Sequence, residues 1–463
     1  MSEEVDSWPQ TDELSAEQRE LFDQLLASAL DDVELGQEPI APRADAGAVP
    51  LSFAQQRLWF LHQLDPASPA YNMPSGLRLE GRLDRGALRA SLADIVRRHE
   101  SLRTTFQTVL GEPVQVVQPE APVDVPRIDL RGVPALRRHE EATTLAREDA
   151  HRPFDLAAGP LLRALLVQLD GEDHVVLFTT HHIVSDGWSV GVLVREFAAH
   201  YEARCAGRPP RLPELPIQYA DFAAWQRARL TDGAEVERLL AFWRGQLAGA
   251  PGQLELPTDR PRPSRQSFRG RRRAWTLSPA LRGEVEAFSR ARGATPFMTI
   301  LAAIDAWLAA YAGQDDLVVG SPIANRTRGE LEGLIGFFVN ALPLRARLSG
   351  DPTFAELVTQ VREVALRAYE HQELPFERLV EELQAERDLG ANPVFQVMFA
   401  LQNAPLAPLA LAGLRVTPLA IDFETAKFDL HLELWEDASL PGAIEWSTDL
   451  FDAATVARMT AHL

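Results

Sequence analysis

The sequence predicts a mixed α/β (α+β) protein with two cores, on three observations. At 463 residues the chain is too long for one ordinary domain, and its 46% hydrophobic content suffices to fill two. The stretch His174–Tyr201, HVVLFTTHHIVSDGWSVGVLVREFAAHY, opens as a nearly continuous Val, Leu, Phe and Thr run, the composition of a strand buried on both faces. It passes through a short polar loop into a helical pattern with Val190, Leu193, Val194, Phe197 and Tyr201 on one face. The second half returns to the same alternation of strands and helices. DDLVVGSPIANR (Asp315–Arg326) reads as a buried strand turning at Gly320 and Pro322, and AKFDLHLEL (Ala426–Leu434) as an alternating strand.

Taken in order, residues 12–31 begin with a capping signal and place Leu14, Leu21, Phe22, Leu25 and Leu26 at helical spacing. An amphipathic helix is expected there, then a linker, so that 1–48 stand outside the two lobes. The first lobe is expected over 49–225. SFAQQRLWFL begins at Ser52, and the amphipathic segment Leu88–Val96 leads into RHESLRTTF, whose charges Arg98 and Arg103 flank apolar positions. The polar loop after the buried strand carries His181, His182, Ser185, Asp186 and Gly187.

Side chains alternate across a strand, so only one of the two adjacent histidines can face a given site. Asp186 is expected either to cap the following helix or to be a buried carboxylate paired with an arginine. Gly187 frees the backbone to turn or lets a substrate approach.

Residues 226–265, with the proline-rich run Pro251–Pro263, are expected to connect the lobes, and 266–463 to form the second. The cluster RGRRR (Arg269–Arg273) reads as the solvated face of a strand or as a patch for a phosphate. In IGFFVNALPLR (Ile335–Arg345), Asn340 is the one hydrogen-bonding side chain in an apolar setting, placed to orient a substrate or to tie down backbone. The last residues, FDAATVARMTAHL, form a helical pattern without a terminator, which predicts continuation in a longer protein.

Composition narrows the chemistry. The net charge of -20 disfavours nucleic acid and anionic membranes as partners. No apolar run approaches the roughly 20 residues that span a bilayer, and the acidic N-terminus does not read as a secretory signal, so a cytoplasmic location is expected. The single cysteine, Cys205, excludes an internal disulfide and any multi-cysteine metal site, and no metal is expected. Lys427 is the only lysine, which leaves one candidate amine for Schiff-base chemistry. A GxxxxGK[ST] loop is lacking.

HHIVSDG resembles the HHxxxDG signature of the condensation domains of nonribosomal peptide synthetases. Six further segments resemble that family's other motifs in order: SFAQQRLWFL, RHESLRTTF, YADFAAW, IGFFVNALPLR, HQELPFERLV and RDLGANPVFQVMF. Ala341 stands where Thr is common, and Glu373 where Asp is also seen. The resemblance implies two chloramphenicol-acetyltransferase-like lobes in a V-shaped pseudo-dimer with a tunnel between them, and a loop near Asp315–Arg326 bridging to the first lobe.

It further implies an enzyme that joins a donor acyl or peptidyl thioester on an upstream peptidyl carrier domain to the amine of an aminoacyl thioester on a downstream one. Both substrates hang on 4'-phosphopantetheine, no cofactor is bound intrinsically, and an adenylation domain follows. HHIVSDGWS resembles the subtype that takes an L-configured donor and an L-configured acceptor. The alternatives are a starter domain using a fatty acyl donor and a non-catalytic recruitment domain. On this resemblance His182 contacts the attacking amine and Gly187 serves catalysis beside it. His181 is structural, Asp186 pairs with Arg103 or Arg98, and Ser185, Trp188, Ser189, Asn340 and Ser321 are substrate-channel candidates.

Overall fold

The computed structural model describes residues 39–44, 47–231, 233–383, 390–402, 411, 413–419, 421, 424–436 and 440–463. The helix expected over 12–31 lies outside them. The first half contributes strands β1 (Val49–Pro50), β2 (Asn72–Gly81), β3 (Thr104–Val109), β4 (Glu112–Val117), β5 (Arg127–Asp129), β6 (Leu162–Asp170) and β7 (Asp173–His181). The second contributes β8 (Gly270–Thr276), β9 (Asp316–Ile323), β10 (Asn340–Arg347), β11 (Val397–Gln402), β12 (Leu414–Leu419), β13 (Leu430–Trp435) and β14 (Pro441–Ser447). They assemble into a three-stranded sheet β1-β4-β3, a five-stranded sheet β12-β2-β7-β6-β5 and a six-stranded sheet β10-β9-β11-β13-β14-β8.

β7 is central in the five-stranded sheet, antiparallel to both β2 and β6. Its alternating residues enter different cores, which is why it reads as one apolar run. Val176 and Phe178 pack with Leu88, Leu92 and Ile95 and with Leu193, Phe197 and Tyr201. Val175 and Leu177 pack on the opposite face with Ala142 and Ala146 of the Ala135–His151 helix. A strand covered on both faces holds its C-terminal end rigidly, and the histidines stand at that end.

The second core gathers around β9, β11, β13 and β14 and the helices Pro296–Ala312 and Phe354–Glu370. It also takes in Val236, Leu239, Leu240, Trp243 and Leu247 of the Ala234–Leu247 helix, together with Leu254 and Leu256. The stretch 226–265, expected as a connection, is therefore largely part of the second core. Its apolar residues recur at helical spacing and have a face to bury. The Tyr219–Leu230 helix likewise runs across the expected limit at 225.

β12 crosses in the other direction. It belongs to the second half in sequence but pairs antiparallel with β2, from Leu414 opposite Gly81 to Leu419 opposite Gly76. β8, the strand of the arginine cluster, is an edge strand whose Arg271, Arg272 and Arg273 are exposed, with Arg272 2.9 Å from Glu433. No helix among the described residues is long and apolar enough to cross a membrane.

Candidate active site

β7 ends at His181, a single turn of 3-10 helix runs from His182 to Val184, and the Gly187–Cys205 helix begins directly after. The loop is short because both supports are anchored, β7 in its sheet and the turn through Ile183 and Val184. Those two pack with Leu51, Leu58, Phe106 and Leu161 in a small apolar cluster beneath the histidines.

The two histidines have separate surroundings. His181 is 5% exposed; its Nδ1 accepts the Ile183 N–H at 3.1 Å and its ring meets Phe154 edge-on. Burial lowers its pKa well below the ordinary value, so the ring is a neutral structural member. His182 is half-buried. Its backbone N–H donates to the Tyr71 carbonyl at 2.8 Å, and its ring packs against Phe337 of the second half. His182 Nδ1 lies 2.8 Å from the Ser185 carbonyl oxygen, a group that can only accept, so the proton sits on Nδ1. Nε2 therefore carries the lone pair, and among the described residues it has no hydrogen-bond partner. Burial, and then the Lys427 ammonium, push the His182 imidazole from 6.5 down to about 4, against the opposing influence of Asp186.

Asp186 fulfils both roles foreseen for it. Oδ1 accepts the Ser189 N–H at 2.8 Å, capping the helix, while the carboxylate is fully buried and ion-paired. The paired guanidinium is that of Arg326, 3.2 Å away, and not that of Arg98 or Arg103. Arg98 is taken by Glu196 at 2.9 Å and the Pro213 carbonyl at 2.5 Å, and Arg103 by the Gln118 carbonyl at 2.5 Å. Both occupy sites on the first half, whereas the Asp186 carboxylate faces chain arriving from the second.

Arg326 also reaches Ser189 Oγ at 2.8 Å and the carbonyls of Leu331 and Leu334, and it lies over the Phe338 ring. Asp186 Oδ2 accepts the Phe338 N–H at 3.0 Å, and Ser189 Oγ both donates to the Gly336 carbonyl and accepts its N–H. Trp188 Nε1 donates to the Glu332 carbonyl, and the Tyr219 hydroxyl donates to that of Phe337. The segment 332–338 is thus laced onto the first half around the histidine loop. Tyr219 fixes how close it comes, since a Cβ on Gly336 would lie 2.0 Å from that ring.

The remaining expected residues separate accordingly. Ser185 and Ser189 are buried, the first supplying the carbonyl that orients His182 and the second a clamp for Gly336. Asn340 ties down backbone: its amide donates to the Gln372 and Leu374 carbonyls and its oxygen accepts the Phe376 N–H. Ser321 is 5% exposed within β9, opposite Leu342. Gly187 is exposed; its φ is not positive and a Cβ there would meet open space, so neither turn geometry nor packing demands glycine.

Sequence reasoning missed Arg326 as the partner of Asp186 and Lys427 as a charge acting on His182. Arg326 closes the very segment expected to bridge the halves, where a cation directly follows a buried strand. Lys427 is the sole lysine of an arginine-rich chain.

A family profile for the condensation domain matches residues 45–463. Chondramide synthase cmdD of Chondromyces crocatus is 47% identical over 426 residues, covering 92% of this chain and 11% of that protein. Phosphinothricin tripeptide synthetase PhsC of Streptomyces viridochromogenes is 42% identical over 457 residues, covering 97% of this chain and 41% of that protein. The chain thus spans less than half the length of these relatives. Among solved structures, a chain in the complex of the X-domain and OxyB from teicoplanin biosynthesis matches with a TM-score of 0.83 at 32% identity, over 92% of this chain and 93% of that one.

Proposed function

The chain belongs to the condensation-domain family, and from that premise we propose that it forms the amide bond between two carrier-bound substrates. A donor acyl or peptidyl thioester on an upstream peptidyl carrier domain is attacked by the amine of an aminoacyl thioester on a downstream one. Each is held on 4'-phosphopantetheine, the chain itself holds no cofactor, and an adenylation domain is its neighbour in the cytoplasmic assembly line. The donor and acceptor are both L-configured on the HHIVSDGWS pattern, with a fatty acyl donor as the variant. The mixed α/β architecture is the chloramphenicol-acetyltransferase-like fold of condensation-domain structures, and the two arms meet in a tunnel between its lobes.

The observation that carries this reading is the fixed tautomer of His182, whose Nε2 has no hydrogen-bond partner among the described residues. The thioester needs no enzyme nucleophile; what the barrier needs is orientation and charge stabilisation. The amine nitrogen attacks the thioester carbonyl carbon, and the C=O electron pair moves to oxygen, giving an alkoxide beside an ammonium. Nε2 accepts an N–H hydrogen bond from the neutral amine and aims its lone pair at the carbonyl. As the C=O bond re-forms and the C–S bond breaks, the proton lost by the ammonium passes through solvent to the departing pantetheine sulfur, which leaves as the thiol. A pKa of about 4 lies far below that of an α-amine, about 8, so holding the amine suits His182 better than deprotonating it at rest.

The test is mass spectrometry of the product from pantetheine-linked donor and acceptor. His182→Ala should lose about 100-fold or more in turnover with an unchanged melting curve. Near wild-type turnover in this variant would overturn the role. The second reading, a recruitment platform, draws on the likeness to the X-domain found in complex with OxyB. It predicts no product from the wild-type chain at saturating substrate.

A further inference from the structure

Lys427 is the only lysine in the chain; its charge bears on His182, and among the described residues it forms no close ion pair, Glu445 and Glu433 acting on it from farther away. It lies in the segment between the isolated bridge Arg269–Thr425 and β13, where its carbonyl accepts the Asn392 amide at 2.6 Å. Its Nζ sits over the ring of Tyr71 at 5.6 Å from the centroid, within reach of a cation–π contact. The carbonyl of that same Tyr71 receives the His182 N–H at 2.8 Å. Lys427 thus meets the histidine turn from the second half, on a support that Tyr71 shares with His182. Among the described residues Nζ makes no ion pair and no hydrogen bond. A sheltered cation ordinarily has a partner, because desolvating an ammonium is costly.

The charged groups bearing on this corner are few. Asp186 and Lys427 act on His182 with opposite sign, and the Asp186 carboxylate is already held by Arg326. Glu445 and Glu433 act on Lys427 from β14 and β13, where Glu433 is engaged by Arg272. Burial lowers the Lys427 amine, and these two carboxylates oppose that. Lys427 in turn lowers the basicity of His182. A cation that weakens the neighbouring base works against a site whose only task is proton abstraction. It is favourable where a second, negative charge develops next to that base, as on the carbonyl oxygen during amine attack.

We propose that the Lys427 ammonium is a catalytic residue of the amide-forming step, binding the oxyanion of the tetrahedral intermediate while His182 holds the attacking amine. The inference rests on the condensation reading. As the amine adds, the carbonyl oxygen acquires the displaced electron pair and moves into the field of Nζ. As the C–S bond breaks, the charge passes to sulfur and Nζ is released. No proton or electron is taken up by Lys427.

The experiment compares wild type, Lys427→Met, Lys427→Gln and Lys427→Arg at pH 8 with pantetheine-linked substrates. It adds binding of two inert pantetheine analogues, an anionic tetrahedral phosphonamidate and the neutral amide product. Product formation by wild type establishes the condensation reading separately. Lys427→Met and Lys427→Gln should lose about 100-fold in kcat with little change in KM, the scale for one oxyanion donor. They should bind the phosphonamidate about 100-fold more weakly and the amide unchanged, with Lys427→Arg restoring part of both. A kcat and phosphonamidate affinity within two-fold of wild type in either neutral variant would overturn the proposal. So would equal loss of affinity for both analogues, the mark of a packing role. If Lys427→Met fails to fold, Lys427→Gln decides.

Discussion

His182 shows how a side chain receives its role from backbone rather than from another side chain. The Ser185 carbonyl fixes the tautomer, the Tyr71 carbonyl fixes the main chain, and Phe337 closes one side of the ring. With the imidazole lowered to about 4, protonation of His182 does not limit the reaction near neutrality. The pH profile of kcat/KM should therefore rise with the acceptor amine, which titrates near about 8, with no inflection at about 6.5. An inflection there, abolished in His182→Gln, would contradict the described surroundings of the ring. The effect on stability has a definite sign. The folded value lies below the ordinary 6.5, so between that pH and about 4 the unfolded chain binds more protons. The neutral ring contributes fully above 6.5, and its contribution falls as pH drops through that window. The histidine pair, its division of labour and the buried carboxylate are all readable from residue type and spacing. The partner of Asp186 is not, because Arg326 lies 140 positions away and only the fold brings it there.

At the scale of elements, the helix that opens at Gly187 and the segment 332–338 are joined through Asp186 and Ser189. One carboxylate oxygen caps the helix and pairs with Arg326, and the other holds the Phe338 N–H. Asp186→Ala removes the cap and leaves Arg326, whose side chain is 1% exposed, as an uncompensated buried cation. Loss of one partner in such a pair costs about 3–5 kcal/mol, so the urea midpoint should fall sharply, and an unchanged midpoint would refute the clamp. β7 is legible because a run without polar interruption has to be covered on both faces. The Ala234–Leu247 helix reads as connection because the prolines and charges around it mask an apolar spacing that completes the second core.

For the whole molecule, the division into two lobes follows from length and from the recurring strands and helices of the second half, yet the chain does not respect it. β12 is hydrogen-bonded along β2, and nothing in LRVTPL says which sheet it joins, since a short strand carries no address. Amide exchange read by mass spectrometry should release the β2-bonded amides of 414–419 together with their partners in 72–81. Early exchange of 414–419 alone would mean the pairing is loose in solution.

That pairing sets how the protein can breathe. A six-residue ladder sewn from one half into the other is a seam, and opening it wide would tear hydrogen bonds from Gly76 to Gly81. On the proposed function, substrates would have to reach His182 with this ladder closed.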